Sequence, residues 1–266
     1  MPKQKMLMLI ATFLIAIGLI GGLATFSTSG ATTEIEQTEV IQNADIKDIQ
    51  LKSENAIIHI ESTTQDQITV EFTAPESRHH LYHLEIEEDK ESLSIELKEK
   101  FLQFLSLDFT FSSPEITVYL PEKQYDVLKL QGVNGKMDIN HITVSEVDVK
   151  NVNGRVQLTN VTANQTNVDS KNGSIVMENV TGQITTDVIN GSTSLKTDDL
   201  ERSIDLASVN GRITIETKEQ PTNATIEVSV KNGKADVFGQ DTRHSRFGNG
   251  EHLITLETVN GAITVR

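Results

Sequence analysis

Apolar and polar residues alternate along most of this chain, and that period-two pattern predicts strands with one buried face. It is plain in Ile49-Gln50-Leu51, Ile58-His59-Ile60 and Ile68-Thr69-Val70-Glu71-Phe72. Leu84-Glu85-Ile86 and Leu93-Ser94-Ile95-Glu96-Leu97 predict two arms of a hairpin, with Glu88 to Glu91 as the turn. In the second half an Asn-Gly pair cuts the alternation at a nearly fixed interval. The pairs at this interval are Asn134-Gly135, Asn153-Gly154, Asn172-Gly173, Asn190-Gly191, Asn210-Gly211, Asn232-Gly233 and Asn260-Gly261. Successive asparagines lie 19, 19, 18, 20, 22 and 28 residues apart.

Alignment on the asparagine shows what repeats. Most units carry apolar residues six and four places before it, as in Leu128/Leu130, Val147/Val149 and Ile204/Leu206. Others stand three and five places after it, as in Met137/Ile139, Val156/Leu158 and Ile213/Ile215. Each unit is therefore a short strand, a corner and a second short strand. Ile49 to Ile60 fits the same frame with Ala56 in place of glycine, so the repeat begins there in degenerate form.

Two architectures follow from such units. Asn-Gly between alternating runs is a strong signal for a two-residue hairpin, and a meander of hairpins gives a sandwich or barrel. A meander needs two marked turns per unit, however, and the second junction varies between Asn160-Val161-Thr162 and Thr197-Asp198-Asp199-Leu200. A parallel solenoid stacks the same corner coil upon coil, which demands that its identity repeat. The reading adopted is an all-β, parallel, β-helix-like solenoid of ~19–20-residue coils with Asn-Gly corners. Glycine supplies the positive φ of the corner, so Gly173→Val is expected to be costly.

The amino-terminal third of a hundred residues is different. Lys3 and Lys5 precede an uncharged run, Met6 to Phe26, long enough at ~1.5 Å per residue to cross a ~30 Å hydrocarbon core. Basic residues before it and acidic sequence after it place the start of the chain in the cytoplasm and the rest outside. A cleaved signal peptide, with Ser29-Gly30-Ala31 as the cleavage site, is the alternative. The expected organisation is a cytoplasmic start and signal-anchor helix over 1–26, a stalk over 27–45 and an exported repeat domain over 46–266.

Composition narrows the chemistry. The 266 residues contain no cysteine and no tryptophan, which removes disulfides, thiolate metal sites and cysteine nucleophiles. The formal charge is −15, and residues 32–266, which lack Lys3 and Lys5, carry −15 − 2 = −17. A chain so acidic has no basic face for a phosphate backbone, so no nucleic-acid partner is expected. No GxSxG, HExxH or P-loop motif occurs. The chain is accordingly expected not to be an enzyme, with no catalytic, cofactor-binding or metal-binding residue assigned and no cofactor.

Four features stand out as candidates. His79, His80 and His83 form a cluster whose extended neighbours favour surface histidines over a metal site. Phe101, Phe104, Phe109 and Phe111 crowd a short segment, either as an exposed contact patch or as a cap over an open end. Two places after the asparagine stand Lys136, Arg155, Arg212 and Lys234, a broken basic stripe expected to be neutralised by neighbouring carboxylates. Asp148, Asp169, Asp187 and Asp205 suggest calcium but fall five, three, three and five places before their asparagines, not at one shared position.

Repeats such as Val147-Asp-Val-Lys-Asn-Val-Asn-Gly-Arg-Val-Gln-Leu158 resemble the bacterial "putative adhesin" β-strand-repeat family, over about Ile46 to Arg266. The closing Phe247 to Val265 resembles that family's last coil. With an anchor ahead of it, the chain is similar to LiaG-like proteins of Gram-positive bacteria, encoded beside a cell-envelope-stress system. The resemblance implies no agreed activity and no catalytic residues. It implies an envelope protein held in the cell membrane through residues 6–26, its carboxy-terminal domain extracellular. Its partner would be an envelope protein or wall glycan, met as a binding or scaffolding module. A directly adhesive role and a glycan-active enzyme on a β-helix are the alternatives.

Overall fold

The computed structural model describes residues 34–76, 80–101 and 113–266. The proposed anchor, His79, and the phenylalanines at 104, 109 and 111 lie outside them, as does the side chain of Phe101. Among the described residues there is no helix, and hence none long and apolar enough to cross a membrane.

The fold is all-β and mostly parallel, and the asparagines set its register. The corner-bearing elements are β2 (Asp48–Asn55), β3 (Ile57–Thr63), β8 (Gln124–Asn140), β9 (Thr143–Val180), β10 (Gln183–Thr197), β11 (Ile204–Thr217), β12 (Ala224–Val237) and β14 (His252–Val265). Most run straight through their corner, and the 38 residues of β9 make two successive coils. Asn134 lies opposite Asn153, Asn190 opposite both Asn172 and Asn210, and Asn55 opposite Asn134. The degenerate unit at Ala56 is thus a true coil.

The residues flanking each corner explain why the coils close. Leu128 and Leu130 before the corner and Met137 and Ile139 after it are all buried, and the same holds coil after coil. Burying both alternating sets in one core requires the chain to turn between them, which the Asn-Gly corner does. Hydroxyls intrude on this apolar interior: those of Thr166, Thr186 and Thr193, and of Ser53, Ser170 and Ser208, are buried with no hydrogen-bond partner among the described residues.

At the amino-terminal end the coil pattern splits into two flaps. On the β2 side lies β6 (Ser92–Phe101), which forms an antiparallel hairpin with β5 (His80–Asp89), as the sequence predicts; Lys90 turns it at φ 52°. On the β3 side lie β7 (Glu115–Pro121), antiparallel β4 (Ile68–Pro75) and, beyond it, β1 (Glu34–Ile41). Part of the segment expected as a stalk is therefore a strand.

The carboxy-terminal end departs from chain order. The β14 coil, expected to close the stack, instead lies between β11 and β12, parallel to both. After β11 the chain steps over one place, lays down β12 as the outermost coil, and returns to fill the gap. The excursion accounts for the long final interval. It includes β13 (His244–Arg246), which pairs antiparallel with Thr225–Glu227, and an edge-to-face contact of Phe238 with Phe247 at 5.9 Å.

Candidate binding surface

Stacked corners place their asparagine side chains in a single file. Asn134 Nδ2 donates to Asn55 Oδ1 at 2.7 Å, Asn153 to Asn134 at 2.7 Å, and Asn172 to Asn153 at 2.9 Å. Asn190, Asn210, Asn260 and Asn232 continue the file in that spatial order, each 2.7–2.9 Å from the last. All seven bonds run the same way, so the amide dipoles add and polarise one another. The file ends on an anion: Asn55 Nδ2 donates to Glu99 Oε2 at 2.7 Å, and Glu99 Oε1 pairs with His80 Nδ1.

Close approach explains the glycines. A Cβ on Gly154 would stand 1.9 Å from the Gly135 carbonyl oxygen, and one on Gly173 would stand 1.7 Å from that of Gly154. Gly135 and Gly154 also have φ of 135° and 122°. Gly173 does not occupy that region, so its requirement for glycine is the neighbouring carbonyl and not its φ. The same geometry permits Ala56. Beyond it β2 and β3 diverge onto β6 and β7, and no further corner presses on it.

Beside the asparagines runs an aliphatic rib, one place earlier in each coil. Val133, Ile189, Val209 and Val259 are exposed, Val152 half-buried, and Lys171 and Lys231 interrupt the file. Between the rib and the residues two places earlier lies a groove of about 500 Å³. Ser53, Gly132, Asn151 and Ser170 lie along it; Val133, Val152 and Ile189 supply its apolar wall, with Lys52, Lys150, Asp169 and Asp187 opposite. It crosses five coils, roughly 19 Å at ~4.8 Å per coil. The rib was legible as a Val/Ile column in the aligned sequence, but alignment on buried positions passes over it.

Burial holds the Asp169 carboxyl above its ordinary range, Asp187 and Asp148 adding to the effect and Lys150, 3.9 Å away, opposing it. Asp205 is raised likewise, by burial and then by Asp187. Asp169 and Asp187 face each other in register, whereas Asp205 pairs with Thr185. Among the described residues no group of three His, Asp or Glu is arranged to hold a metal ion.

The remaining candidates resolve separately. Lys136 is neutralised as expected, 2.6 Å from Asp138, but Arg155, Arg212 and Lys234 have no ion pair among the described residues. His83 is exposed, 3.6 Å from Glu85, and His80 stacks on Tyr82. A cluster not foreseen joins β3, β7 and β8: His59 Nδ1 is 3.2 Å from nearly buried Asp138, and its Nε2 is 3.5 Å from Glu115. Each ring nitrogen faces a carboxylate, so His59 is positioned to hold strands together. A second short file, Asn179 to Asn160 to His141, marks the opposite corner, where all three residues have φ of 53–58°.

A family model matches residues 46–237 and again 135–266, an overlap that the repeat itself produces. The chain belongs to the Toastrack DUF4097 family. No curated protein matches it. Among solved structures it is similar to a "putative adhesin" from Bacteroides fragilis, 14% identical, with a TM-score of 0.46 over 89% of this chain and 98% of that one. It is similar also to a "putative lipid binding protein" from Parabacteroides distasonis, at 12% identity, a TM-score of 0.44 and 87% and 96% coverage. A third is a "putative cell adhesion protein" from Clostridium sporogenes, at 12% identity, a TM-score of 0.39 and 88% and 99% coverage.

Proposed function

We propose that this Toastrack protein is a membrane-anchored, exported, non-enzymatic component of the cell envelope that acts as a binding or scaffolding module. The apolar groove beside the asparagine file carries the reading. It is a groove in which the aliphatic strip of Val133, Val152 and Ile189, interrupted by Lys171, faces charged groups of both signs, a mixture suited to recognition. Its backbone is held in register by parallel coils on either side, so it meets a ligand preorganised. The acidic body repels an anionic surface, which leaves short-range contact in the groove to drive association. The uncharged Met6–Phe26 run behind Lys3 and Lys5 supports the anchor, and the likeness to LiaG-like proteins supports a link to envelope stress.

The full chain, purified in detergent, is to be sedimented with bacterial cell-wall sacculi, with and without calcium, beside a Val152→Glu/Ile189→Glu variant. Saturable pelleting that the variant loses identifies wall glycan as the ligand. Absence of pelleting, together with a groove-dependent cross-link to a membrane protein in cells, identifies a protein partner. Turnover of a polysaccharide, abolished by a single Asp or Glu substitution, would replace the binding reading with an enzymatic one.

A further inference from the structure

The aliphatic rib beside the asparagines begins and ends on opposite charges. Its first place, in the β2 coil, is Glu54, and its last, in the outermost β12 coil, is Lys231. Between them stand Val133, Val152, Lys171, Ile189, Val209 and Val259, one to a coil. The whole rib spans roughly 34 Å at ~4.8 Å per coil. Glu54, Lys171, Asp187 and Lys231 are exposed, and none has an ion pair or a side-chain hydrogen bond among the described residues.

We infer that this rib is the contact surface of a homodimer, in which a second copy of the chain lies against it with its coils stacked in the opposite direction. The dimer rests on the strip being the recognition surface proposed for this protein, and it supplies the partner. Reversed upon itself the rib is self-complementary, as a two-fold contact requires. Glu54 of each copy meets Lys231 of the other, Val133 meets Val259, and Val152 meets Val209. The axis falls between the Lys171 and Ile189 coils. There the stem of Lys171 covers Ile189 of the second copy, and its ammonium can turn to Asp187, two residues back along the same strand. Each copy brings Asp169 and Asp187 against Lys150 and Lys171 at this point, so the centre is neutral.

Other arrangements of the rib lose the match. Copies stacked in the same direction would set Glu54 on Glu54, Lys171 on Lys171 and Lys231 on Lys231, and facing like charges reject that register. A slip of one coil in the reversed arrangement sets either Lys171 on Lys171 or Lys231 on Val133. The aliphatic side chains supply area that a monomer leaves in water, and the charges select the register. A contact one residue wide buries less than the ~1,200–2,000 Å² of a stable interface, so the dimer is reversible and concentration-dependent.

The absence of cysteine from the chain makes a specific test possible. Full-length chains with one introduced cysteine each are mixed in detergent, one member of each pair carrying a tag, and inter-chain disulfides are scored on non-reducing gels. Val133→Cys with Val259→Cys, and Val152→Cys with Val209→Cys, are expected to link roughly tenfold or more faster than Val133→Cys with itself, whose counterpart lies five coils away, beyond disulfide reach. Lys231→Glu in both chains should slow the Val133→Cys/Val259→Cys link, and Glu54→Lys added to it should restore the rate, a rescue that a misfolded variant would not show. Equal linking of every pair, or fast self-linking of Val133→Cys, would overturn the inference. Absence of any link, in a chain whose pelleting with sacculi still depends on Val152 and Ile189, would overturn it and leave the groove as a site for wall glycan. Loss of both the link and all groove-dependent binding would remove the two readings together.

Discussion

Asn260 donates its side-chain amide to Asn210 at 2.7 Å across fifty residues of sequence, although Asn232 lies between them in the chain. That bond records the exchange of the last two coils. Its thermodynamic meaning is that the final coil is an inner layer, buried on both faces, while β12 depends on it for its only long parallel pairing.

Removal of residues 252–266 should therefore abolish protection in two places. Hydrogen exchange on the truncated chain is expected to show rapid exchange across 224–237 as well, because repeat stability is the sum of intrinsic terms and neighbour interfaces. Retained protection in β12 would mean that it docks on β11 directly.

The Gly173→Ala substitution should cost about 3 kcal/mol or more in urea-denaturation stability, since the methyl carbon would overlap a backbone oxygen that cannot move without shifting the adjacent coil. Ala56→Gly is the counterpart. It removes no required contact at the corner, and the expected loss is about 0.5–1 kcal/mol, mostly from the unfolded chain's added freedom.

Thr193→Val should stabilise. Its hydroxyl is buried without a partner, and Ile175 and Ile213 occupy the same place in the coils on either side. Replacement of an unsatisfied hydroxyl by a methyl group is expected to add about 1 kcal/mol. A drop in the thermal midpoint would reveal a partner for that oxygen.

Asp169 gives a pH prediction. Burial raises its folded-state pKa above the unfolded value, so the folded state binds the proton more tightly and stability falls as pH rises through that window. Asp169→Asn should leave the thermal midpoint unchanged near pH 3 and raise it modestly at pH 7; its half-exposed position limits the gain to a fraction of about 1 kcal/mol. Equal effects at both pH values would show that the charge is not responsible.

Much of this architecture was legible because stacking forces chemical repetition. The corner asparagines, the degenerate coil at Ala56 and the β5–β6 hairpin all follow from residue patterns with local causes. The order of the last coils does not. Ile226/Val228 and Ile254/Leu256 occupy equivalent places, so either unit satisfies the pattern next to β11, and the choice rests with the connection through 238–251. One trace remains in Ala235, small where Ile213 and Ile263 are large, as befits a coil with a neighbour on one side only. The groove escaped for another reason: it is built from exposed residues, and the repeat was recognised by its buried ones.

The intercalated β14 also bears on how such a protein can grow. A stack whose last-laid coil is outermost can lengthen by duplication of its terminal unit, each copy docking on the free face of the one before. Here both faces of the Ile254–Val265 coil are already occupied, so a copy appended after it would find no surface on which to dock. New coils can enter only within the uninterrupted run from β8 to β11, where every interface is equivalent to the next. The exchange of two coils thus fixes the far end of the molecule and leaves its middle as the part open to expansion.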